Sequence, residues 1–545
     1  MRHFSSLLSL LAFANLCLSG CSNDAAKDRA KNAEDAQHLK IASIEDPLTL
    51  DPRLARDLYS ATTMRLLFEG LMRVNSQGTL QPALAQTIDI SSDLKTYTFT
   101  LRPTTWSDGT PLTSHDFELT WKSSLAPDFP APNAYQLYVI KGAKAAKEGS
   151  LPVDSVSIKA PAPNMLVVEL EQPCPYFLEL TSCHFFFPVP PAMLKQTATT
   201  QNTPHDTLVS NGPFSLDHWT PRSEFVLVKN PTYWAASTVR LERLSYQILD
   251  EHTSVHLFHA GALDWAGSPL STLPQDAIAN FKQQNLLQVT TGAGTHWFRF
   301  NTQNSPFNNE SLRRAFGLAL NRQAIVDHVT KGYQQPAIGI VPPVFGIGAQ
   351  QYYPDHDTVA AKELFAKALS DLHITAKELP KITLNYNAND RNHKISQAIQ
   401  QQWNKAFGIE VALEGLEAHV LIDKMRKGAY QISLGSWYAD LQDPINFLEI
   451  FKAQDNPTNL TFWHNPHYTE LLEASSLENV SAQRMQLLNK AEKLLIDAMP
   501  VAPLFYNAYN YLKNPAVKGV YFSPLGFLDF KEANLEHPTT TQTDQ

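Results

Sequence analysis

Three histidines have a spacing that could bind a metal ion. His252, His256 and His259 stand at positions i, i+4 and i+7, and a helix would place their imidazole rings near one face. Imidazole is a common protein ligand of zinc and nickel. The alternative is that the three rings belong to a solvated helix face. Taken alone, the spacing leaves both interpretations open.

The sequence contains no linear motif of a known catalytic site. There is no HExxH, no GxSxG, no paired CxxC, no GxGxxG after a predicted strand and no Walker loop. Carboxylates and histidines are plentiful, but their spacing does not assign an acid, a base and an orienting group. Convergent active sites leave no linear trace, so a surface-anchored hydrolase of peptides or cell wall is the alternative. We predict that the protein is not an enzyme.

Two cysteines in the body of the chain could form a disulfide. Tyr176, Phe177 and Leu180 predict a helix between Cys174 and Cys183. Such a helix would separate the two Cα atoms by about 13 Å, whereas a disulfide needs less than about 7 Å. We therefore predict two free thiols.

The N-terminus has the pattern of an export signal. Arg2 and His3 precede an apolar run from Phe4 to Leu18 that is shorter than a membrane span. The run ends in Leu-Ser-Gly-Cys21, which resembles the lipobox of bacterial lipoproteins, in which cleavage before the cysteine leaves it as the acylated first residue. We predict a signal peptide over residues 1–20, lipidation at Cys21 and a tether over residues 21–38. An uncleaved signal anchor is the alternative.

Composition indicates a large globular protein. The 545 residues carry 44 Lys and Arg against 53 Asp and Glu, a net charge of −9, and 43% are apolar. This length allows about three or four domains. Because no long basic run could neutralise a row of phosphates, nucleic acid is not expected as a partner.

Hydrophobic periodicity predicts the elements that must position any site. Residues 97–101 alternate apolar side chains with threonine, which predicts a strand followed by a turn at 106–109. Apolar residues recur every four positions over 312–320, which predicts an amphipathic helix ending before Gly332. A second helix is predicted over 481–500, with Ser481 as a candidate N-cap. The chain is therefore predicted to be an α/β protein.

Six groups of short segments, in a fixed order, resemble the extracytoplasmic solute-binding proteins of peptide transporters, the oligopeptide-binding family that serves ABC importers. Each segment is weakly specific alone, but their common order from Leu50 to Asp440 is specific. The segments are Leu50–Pro52 with Phe68–Leu71, Trp106–Phe117, Asn211–Phe214, Asn230–Trp234, Phe300–Thr302 with Pro306-Phe307 and Arg313–Phe316, and Gly435–Asp440.

The resemblance implies a two-lobed periplasmic-binding-protein fold with an extra inserted domain. The three domains are interleaved along the chain. The base domain is predicted over residues 39–68, 194–294 and 506–545, the inserted second domain over 69–193, and the distal lobe over 295–505. The histidine segment then falls in the base domain rather than in the cleft, so we predict no metal site and no cofactor.

The resemblance also implies how a ligand is held. In this family an extended peptide pairs its main chain with protein strands, which explains tolerance of many peptide sequences. The carboxylate that binds the ligand's α-ammonium falls on Asp440, and a ligand-contacting tyrosine falls on Tyr135. By position, the two strand elements are Arg56-Asp57-Leu58 and Ser436-Trp437-Tyr438.

The sequence departs from the family's best-studied type at the other end of the ligand. Leu434 stands where that type has a basic residue near the ligand's C-terminus, and Arg426 and His393 are the candidate substitutes. Arg56 occupies a position that is acidic in that type, which implies a different preference for ligand charge.

Several of these residues also have a structural interpretation. Trp437 could be a core aromatic residue, and His393 could be a surface loop residue. Tyr135 could lie away from the ligand. Asp440 could cap a turn or helix before Pro444.

The resemblance finally implies partners and location. We predict a monomer that binds oligopeptides, delivers them to the permease subunits of an ABC transporter and is held by its lipid at the cell membrane, facing the periplasm or the exterior. Murein-derived peptides, glutathione, haem and nickel are alternative ligands within the same family.

Overall fold

The computed structural model describes residues 37–195, 208–347 and 352–536. The predicted signal peptide, the lipidation site Cys21 and nearly all of the predicted tether lie outside these residues. The tether is predicted to end at His38, but the first strand begins there, and the Gln37 side chain donates a hydrogen bond to the Leu535 carbonyl (2.9 Å). Residues 37 and 38 therefore belong to the fold rather than to the tether.

Strands occur along the whole described chain. In order they are β1 (His38–Ser43), β2 (Met72–Val74), β3 (Leu80–Pro82), β4 (Ala85–Ile90), β5 (Thr96–Leu101), β6 (Ile158–Ala162), β7 (Met165–Glu169), β8 (Phe214–Thr220), β9 (Glu224–Lys229), β10 (Arg243–Ile248), β11 (Trp265–Gly267), β12 (Leu287–Phe300), β13 (Gln335–Pro336), β14 (Ile382–Asn387), β15 (Val411–Leu416), β16 (Ile432–Tyr438), β17 (Val501–Lys513), β18 (Val517–Lys518), β19 (Tyr521–Phe522), β20 (Leu528–Asp529) and β21 (Asn534–Leu535).

Helices alternate with these strands, as expected for an α/β protein. In order they are α1 (Leu58–Leu67), α2 (Ser114–Leu125), α3 (Ala143–Lys147), α4 (Phe177–Leu180), α5 (Pro191–Leu194), α6 (Glu251–His259), α7 (Ile278–Gln283), α8 (Glu310–Leu318), α9 (Arg322–Ile325), α10 (Thr358–Asp371), α11 (Asp390–Phe407), α12 (Ala418–Arg426), α13 (Ile445–Leu448), α14 (Pro466–Leu477) and α15 (Ser481–Ala498). None of these helices is long and apolar enough to cross a membrane.

One large sheet runs through both lobes. Its strand order is β15-β14-β16-β12-β17-β11-β1-β10-β9-β8, with β13 also paired to β17. Strands β12 and β17 pair antiparallel from Leu287 opposite Leu512 to Arg299 opposite Val501. Because β14–β16 lie on one side of this pair and β1 with β8–β11 on the other, the two long strands connect the lobes.

A separate antiparallel sheet forms a smaller unit beside the base of the large one. Its order is β4-β5-β7-β6, and α2 packs against β6 and β7. Side chains of this unit and of the base strands share one hydrophobic core, whereas the distal strands and helices have two clusters of their own. The division of the core therefore falls between the base side and the distal side, where a cleft can open.

Three of the segments that carry the family resemblance meet at a buried junction on the base side. Glu69 accepts hydrogen bonds from Arg73 Nη1 (3.1 Å) and the Tyr233 hydroxyl (2.7 Å), and Trp234 Nε1 donates to its other carboxylate oxygen. The main chain of Glu69 exchanges two hydrogen bonds with the Asn211 side chain (3.0 and 3.1 Å). These hydrogen bonds join the three segments into one part of the base.

The predicted elements are found, with two changes at helix ends. Strand β5 covers the predicted strand at 97–101. The helix predicted from 312 stops at Leu318, because the Asn321 side chain accepts a hydrogen bond from the Ala324 N–H (2.9 Å) and caps a new helix, α9. Helix α15 begins at Ser481, but its N-cap residue is Val480 rather than the predicted Ser481.

The cysteine prediction is confirmed, and the histidine segment is helical. Cys174 and Cys183 are both buried free thiols. Helix α6 begins after the cap residue Asp250, and its three histidines are exposed. Across the described ranges no group of three or more His, Cys, Asp and Glu side chains is placed to hold a metal ion.

Candidate binding cleft

The most distinctive feature of the cleft is a strand edge that is only partly paired. Strand β16 pairs with β12 along its whole length, from Gly294 opposite Tyr438 to Phe300 opposite Ile432. On its other side, β14 pairs with β16 only at Ile432 and Ser433. From residue 434 to 438 this second edge has no partner strand in the described part of the chain. An unpaired edge of this kind can accept another extended chain.

Hydrogen bonds at both ends of β16 indicate which main-chain groups face the open edge. The Ala439 N–H donates to the Ala293 carbonyl (2.8 Å), and the Asn301 N–H donates to the Gln431 carbonyl (3.0 Å). Since main-chain groups alternate in direction along an antiparallel strand, the odd-numbered residues face β12. The N–H and C=O groups of Ser436 and Tyr438 therefore face the open edge.

The side chains of β16 that the sequence singles out lie on both faces of this strand. The Trp437 indole is half-buried and donates to Asn446 Oδ1 (2.9 Å), so its polar atom is satisfied within the distal lobe. The Tyr438 ring is 47% exposed, and its hydroxyl lies 3.1 Å from His296 Nε2. The strand predicted at Ser436–Tyr438 is confirmed, and Trp437 packs partly into the distal core.

A cavity of about 720 Å³ opens beyond the end of β16, and it brings Asp440 and Tyr135 together. Tyr135 lies in a short 3-10 helix, Ala134–Val139, and its ring is 47% exposed. The cavity is acidic, because one lysine faces four carboxylates among its lining residues. These charged residues are Glu171, Asp440, Glu449, Glu473 and Lys452.

The surroundings of Asp440 do not neutralise its charge. Asp440 is solvent-exposed at the cavity, but partial desolvation by the surrounding protein raises its pKa above the ordinary value, although hydrogen bonding to Tyr135 acts in the opposite direction. Burial and then the charge of Asp440 raise the pKa of Tyr135 to about 12. Within the described residues, no Lys, Arg or His nitrogen lies within 4.0 Å of Asp440. The N-cap of α13 is Pro444, and the Ile445 N–H donates to Asp443 (2.9 Å) rather than to Asp440.

The segment Arg56-Asp57-Leu58 is not the strand that was predicted. Asp57 is the N-cap of α1, accepting from the Ser60 N–H (2.8 Å) and the Ser60 hydroxyl (2.6 Å), and Leu58 is already helical. The cause is local, because an Asp at the N-cap accepts a main-chain N–H of the first turn that has no partner within the helix. Arg56 is exposed just before this cap.

The candidate substitutes for a basic residue at position 434 lie apart from one another. Leu434 is buried in the distal core. His393 is exposed in the first turn of α11, with Nδ1 2.6 Å from the Tyr386 hydroxyl. Arg426 is exposed at the last residue of α12. No contact joins any of these three side chains to Asp440.

Sequence reasoning missed a cation on the strand next to β16. Arg299 of β12 is 9% exposed, and its Nη2 donates to the Ser436 carbonyl (3.4 Å). Burial lowers the pKa of Arg299 to about 10. The acidic lining residues Glu171, Glu449 and Glu473 were also missed. The only signal for Arg299 is the register of β12 against β16, which a single sequence does not contain.

Two lobes joined by two long strands, with a ligand-sized cavity and an open strand edge between them, define a two-lobed binding protein. The chain belongs to the bacterial extracellular solute-binding proteins, family 5, whose middle region matches residues 79–459. It is therefore a solute-binding protein of the cell exterior or periplasm and not an enzyme. The predicted family and the predicted two-lobed α/β fold are confirmed.

Individual relatives agree with this assignment. The chain is 38% identical to oligopeptide-binding protein OppA of Bacillus subtilis over 542 residues, which cover 98% of this chain and 99% of the relative. It superposes on the unliganded open form of the periplasmic murein tripeptide binding protein MppA with a TM-score of 0.82, at 27% identity over 92% of this chain and 98% of that chain.

The TM-score is lower for a peptide complex. For Haemophilus influenzae OppA bound to RPPGFSPFR it is 0.70, at 26% identity over 92% of this chain and 99% of that chain. The arrangement of this chain is thus more similar to an unliganded open form than to a peptide complex.

Proposed function

We propose that this protein captures oligopeptides by main-chain pairing along the open edge of β16 and delivers them to an ABC importer. The observation that carries the proposal is the edge from residue 434 to 438, which no strand of the described chain pairs on its outer side. It ends next to Asp440, with which no described cationic side chain pairs. Main-chain pairing binds the part that all peptides share, so it suits a receptor for many sequences.

The negative charge of the cavity favours binding of the peptide N-terminus next to Asp440. An α-ammonium entering the closed cleft loses its hydration, so it needs a fixed carboxylate. Asp440, with Glu171, Glu449 and Glu473 around it, offers this charge, and the Tyr135 hydroxyl supplies a neutral neighbour. The acidic lining disfavours an anionic group at the same place.

Relatives and conformation support the same proposal. The relatives named above bind an oligopeptide and a murein tripeptide, and the similarity to an unliganded open form fits a receptor without ligand. We propose that the lobes close on the peptide by rotation about β12 and β17, with the three-domain boundaries predicted from the sequence. Since only closed, liganded receptors need to engage the permease, closure would report occupancy.

We also propose that the protein is a lipid-anchored monomer. The motif that ends at Cys21 supports acylation there. Cys21→Ser should therefore abolish incorporation of radiolabelled palmitate and shift the protein from the membrane fraction to the soluble fraction. No palmitate in either form would contradict the lipid anchor, and equal incorporation by both forms would contradict Cys21 as its site. Either result would leave peptide binding unaffected.

The proposal is tested by the ligands that the protein retains. Purified protein is incubated with an equimolar library of tri- to hexapeptides, washed and analysed by mass spectrometry after denaturation. We expect intact free peptides of mixed sequence, and strong depletion when the library is N-acetylated. Fragments in place of intact peptides would support the hydrolase alternative. Recovery of haem, nickel or glutathione without peptides would favour those ligands instead.

A further inference from the structure

The arginine that sequence reasoning missed has an unusual environment for a buried cation. Among the described residues, the Arg299 guanidinium makes one hydrogen bond, to the Ser436 carbonyl, and it packs 5.4 Å from the centre of the Trp297 ring. At 3.4 Å that hydrogen bond is long. No Asp or Glu oxygen of the described chain lies within 4.0 Å of it. A buried charge without such partners is costly for the unliganded protein.

Two other buried arginines of the same lobe show the ordinary arrangement. Arg313 donates to the carbonyls of Ala498 (2.7 and 3.0 Å) and Phe307 (2.9 Å). Arg322 donates to the Pro503 carbonyl (2.7 Å) and forms an ion pair with Asp355 (3.0 Å). Both guanidinium groups are satisfied within the protein, so their roles are structural. Most N–H groups of the Arg299 guanidinium have no acceptor among the described residues. Of the three arginines, only Arg299 lies next to the open edge of β16.

The Arg299 guanidinium can lie over β16 because residue 435 is a glycine. A Cβ atom added to Gly435 would lie 1.6 Å from Arg299 Nη1. The guanidinium therefore crosses over β16 at the one residue without a side chain and reaches the carbonyl of Ser436. Because the Ser436 main chain faces the open edge, the guanidinium lies beside the path of a paired ligand.

The separation of Arg299 from Asp440 determines which length of peptide could contact both side chains. A strand rises about 3.3 Å per residue, and Asp440 lies four to five positions beyond the contact of Arg299 with Gly435 and Ser436. At this rise the two charges are up to about 15 Å apart along the edge, because β16 ends at Tyr438, two residues before Asp440. An extended peptide spans a similar distance between its α-ammonium and a carboxylate four or five residues further on.

We propose, building on the proposed peptide-binding function, that the Arg299 guanidinium binds a ligand carboxylate at the open edge of β16. The cleft then prefers peptides that carry a carboxylate four or five residues from the α-ammonium. A planar guanidinium binds a carboxylate through two parallel hydrogen bonds. This carboxylate is either the C-terminus of a short peptide or an acidic side chain of a longer one.

The test measures affinity by isothermal titration calorimetry for four probes. They are tetraalanine, tetraalanine amide, and two alanine hexapeptide amides with Glu or Gln at the fourth position. We expect the wild-type protein to bind at least one carboxylate probe about 100-fold more tightly than its uncharged partner. A preference within the first pair assigns Arg299 to the C-terminus, and a preference within the second pair assigns it to an acidic side chain.

Variants connect that preference to Arg299. Arg299→Gln should abolish it, Arg299→Lys should retain part of it, and Arg240→Gln, an exposed arginine of the base lobe, should leave it unchanged. A series from tri- to hexaalanine with free and amidated ends needs no variant, and we expect the largest gain from the free end at four or five residues.

Two results would overturn the inference while keeping the proposed function. One is equal wild-type affinity for the charged and uncharged probes, and the other is an Arg299→Gln variant that retains the wild-type preference. If the wild-type protein bound none of the four probes or the alanine series, the proposed peptide-binding function would fail together with the inference.

Discussion

Charged side chains are held very differently in the base junction and in the cleft. In the junction, Glu69 has Arg73, Tyr233 and Trp234 as partners, and Arg73 also pairs with Asp529 (2.8 Å). In the cleft, no cationic side chain of the described residues pairs with Asp440, and no carboxylate among them pairs with Arg299. A fully paired buried charge belongs to the fold, whereas a cleft charge without an ionic partner keeps its interaction for a ligand. The two regions should therefore respond to mutation in opposite ways.

The largest effect is expected in the junction. Glu69→Ala leaves Arg73 buried with one carboxylate instead of two and removes the acceptor of Tyr233. Breaking a buried ion pair from one side costs about 3 to 5 kcal/mol, so the melting temperature measured by calorimetry should fall strongly. The affinity of the remaining folded protein for peptides should be unchanged. A stable Glu69→Ala protein that bound peptide poorly would reverse the comparison.

Asp440→Ala should show the complementary pattern. We expect about 100-fold weaker binding of free tetraalanine, because its α-ammonium loses the facing carboxylate, and much less change for N-acetylated tetraalanine. Since the pKa of Asp440 is raised, its ionised form is disfavoured in the empty cleft, so the unliganded melting temperature should not fall at neutral pH. Asp455→Ala, an exposed position of the same lobe, is the matched control. Equal losses for both peptides would contradict the ammonium role.

Glu492 extends the comparison to a third kind of charged group. It is a buried carboxylate that pairs with no cation among the described residues but accepts several hydrogen bonds. It accepts from the N–H groups of Ile340 (2.8 Å) and Val341 (2.9 Å) and from the Tyr352 hydroxyl (2.6 Å). Burial raises its pKa from 4.5 to about 7. Because the folded-state pKa lies above the unfolded one, its contribution to stability is complete below pH 4.5 and is lost as the pH rises through 7.

The prediction for Glu492→Gln follows from this loss of stability with rising pH. In the wild-type protein this group should lower the free energy of unfolding by about 2 kcal/mol between pH 5 and pH 7. Glu492→Gln should flatten that part of the pH profile without changing peptide affinity. Denaturant unfolding at a series of pH values measures it, and an unchanged slope in the variant would show that Glu492 is ionised throughout this range.

The smallest expected effect concerns Gly435. Gly435→Ala places a Cβ where Arg299 Nη1 lies, so the flexible guanidinium should move rather than the main chain. We expect the preference for a ligand carboxylate to fall about tenfold, equivalent to about 1.4 kcal/mol, with little change in melting temperature. If this variant kept the wild-type preference, binding of a ligand carboxylate would not depend on the position of the Arg299 guanidinium over residue 435.

The sequence was sufficient wherever a function depends on neighbouring residues. The order of short segments predicts the family and the two-lobed fold, and one segment contains both the strand Ser436–Tyr438 and Asp440. The sequence prediction was wrong where one segment is compatible with two local structures. Arg56-Asp57-Leu58 was predicted to be a strand, but Asp57 caps a helix. The sequence could not show Arg299, because the contact with Gly435 joins strands 136 positions apart in the chain, and only their register brings them together.

Hydrogen–deuterium exchange at single-residue resolution tests most directly whether a peptide pairs with β16. In the unliganded protein the N–H of Trp437 faces β12, whereas the N–H groups of Ser436 and Tyr438 face the open edge. Saturation with tetraalanine should slow exchange at Ser436 and Tyr438 and leave exchange at Trp437 unchanged. Saturating binding of tetraalanine without slower exchange at Ser436 and Tyr438 would contradict capture by main-chain pairing.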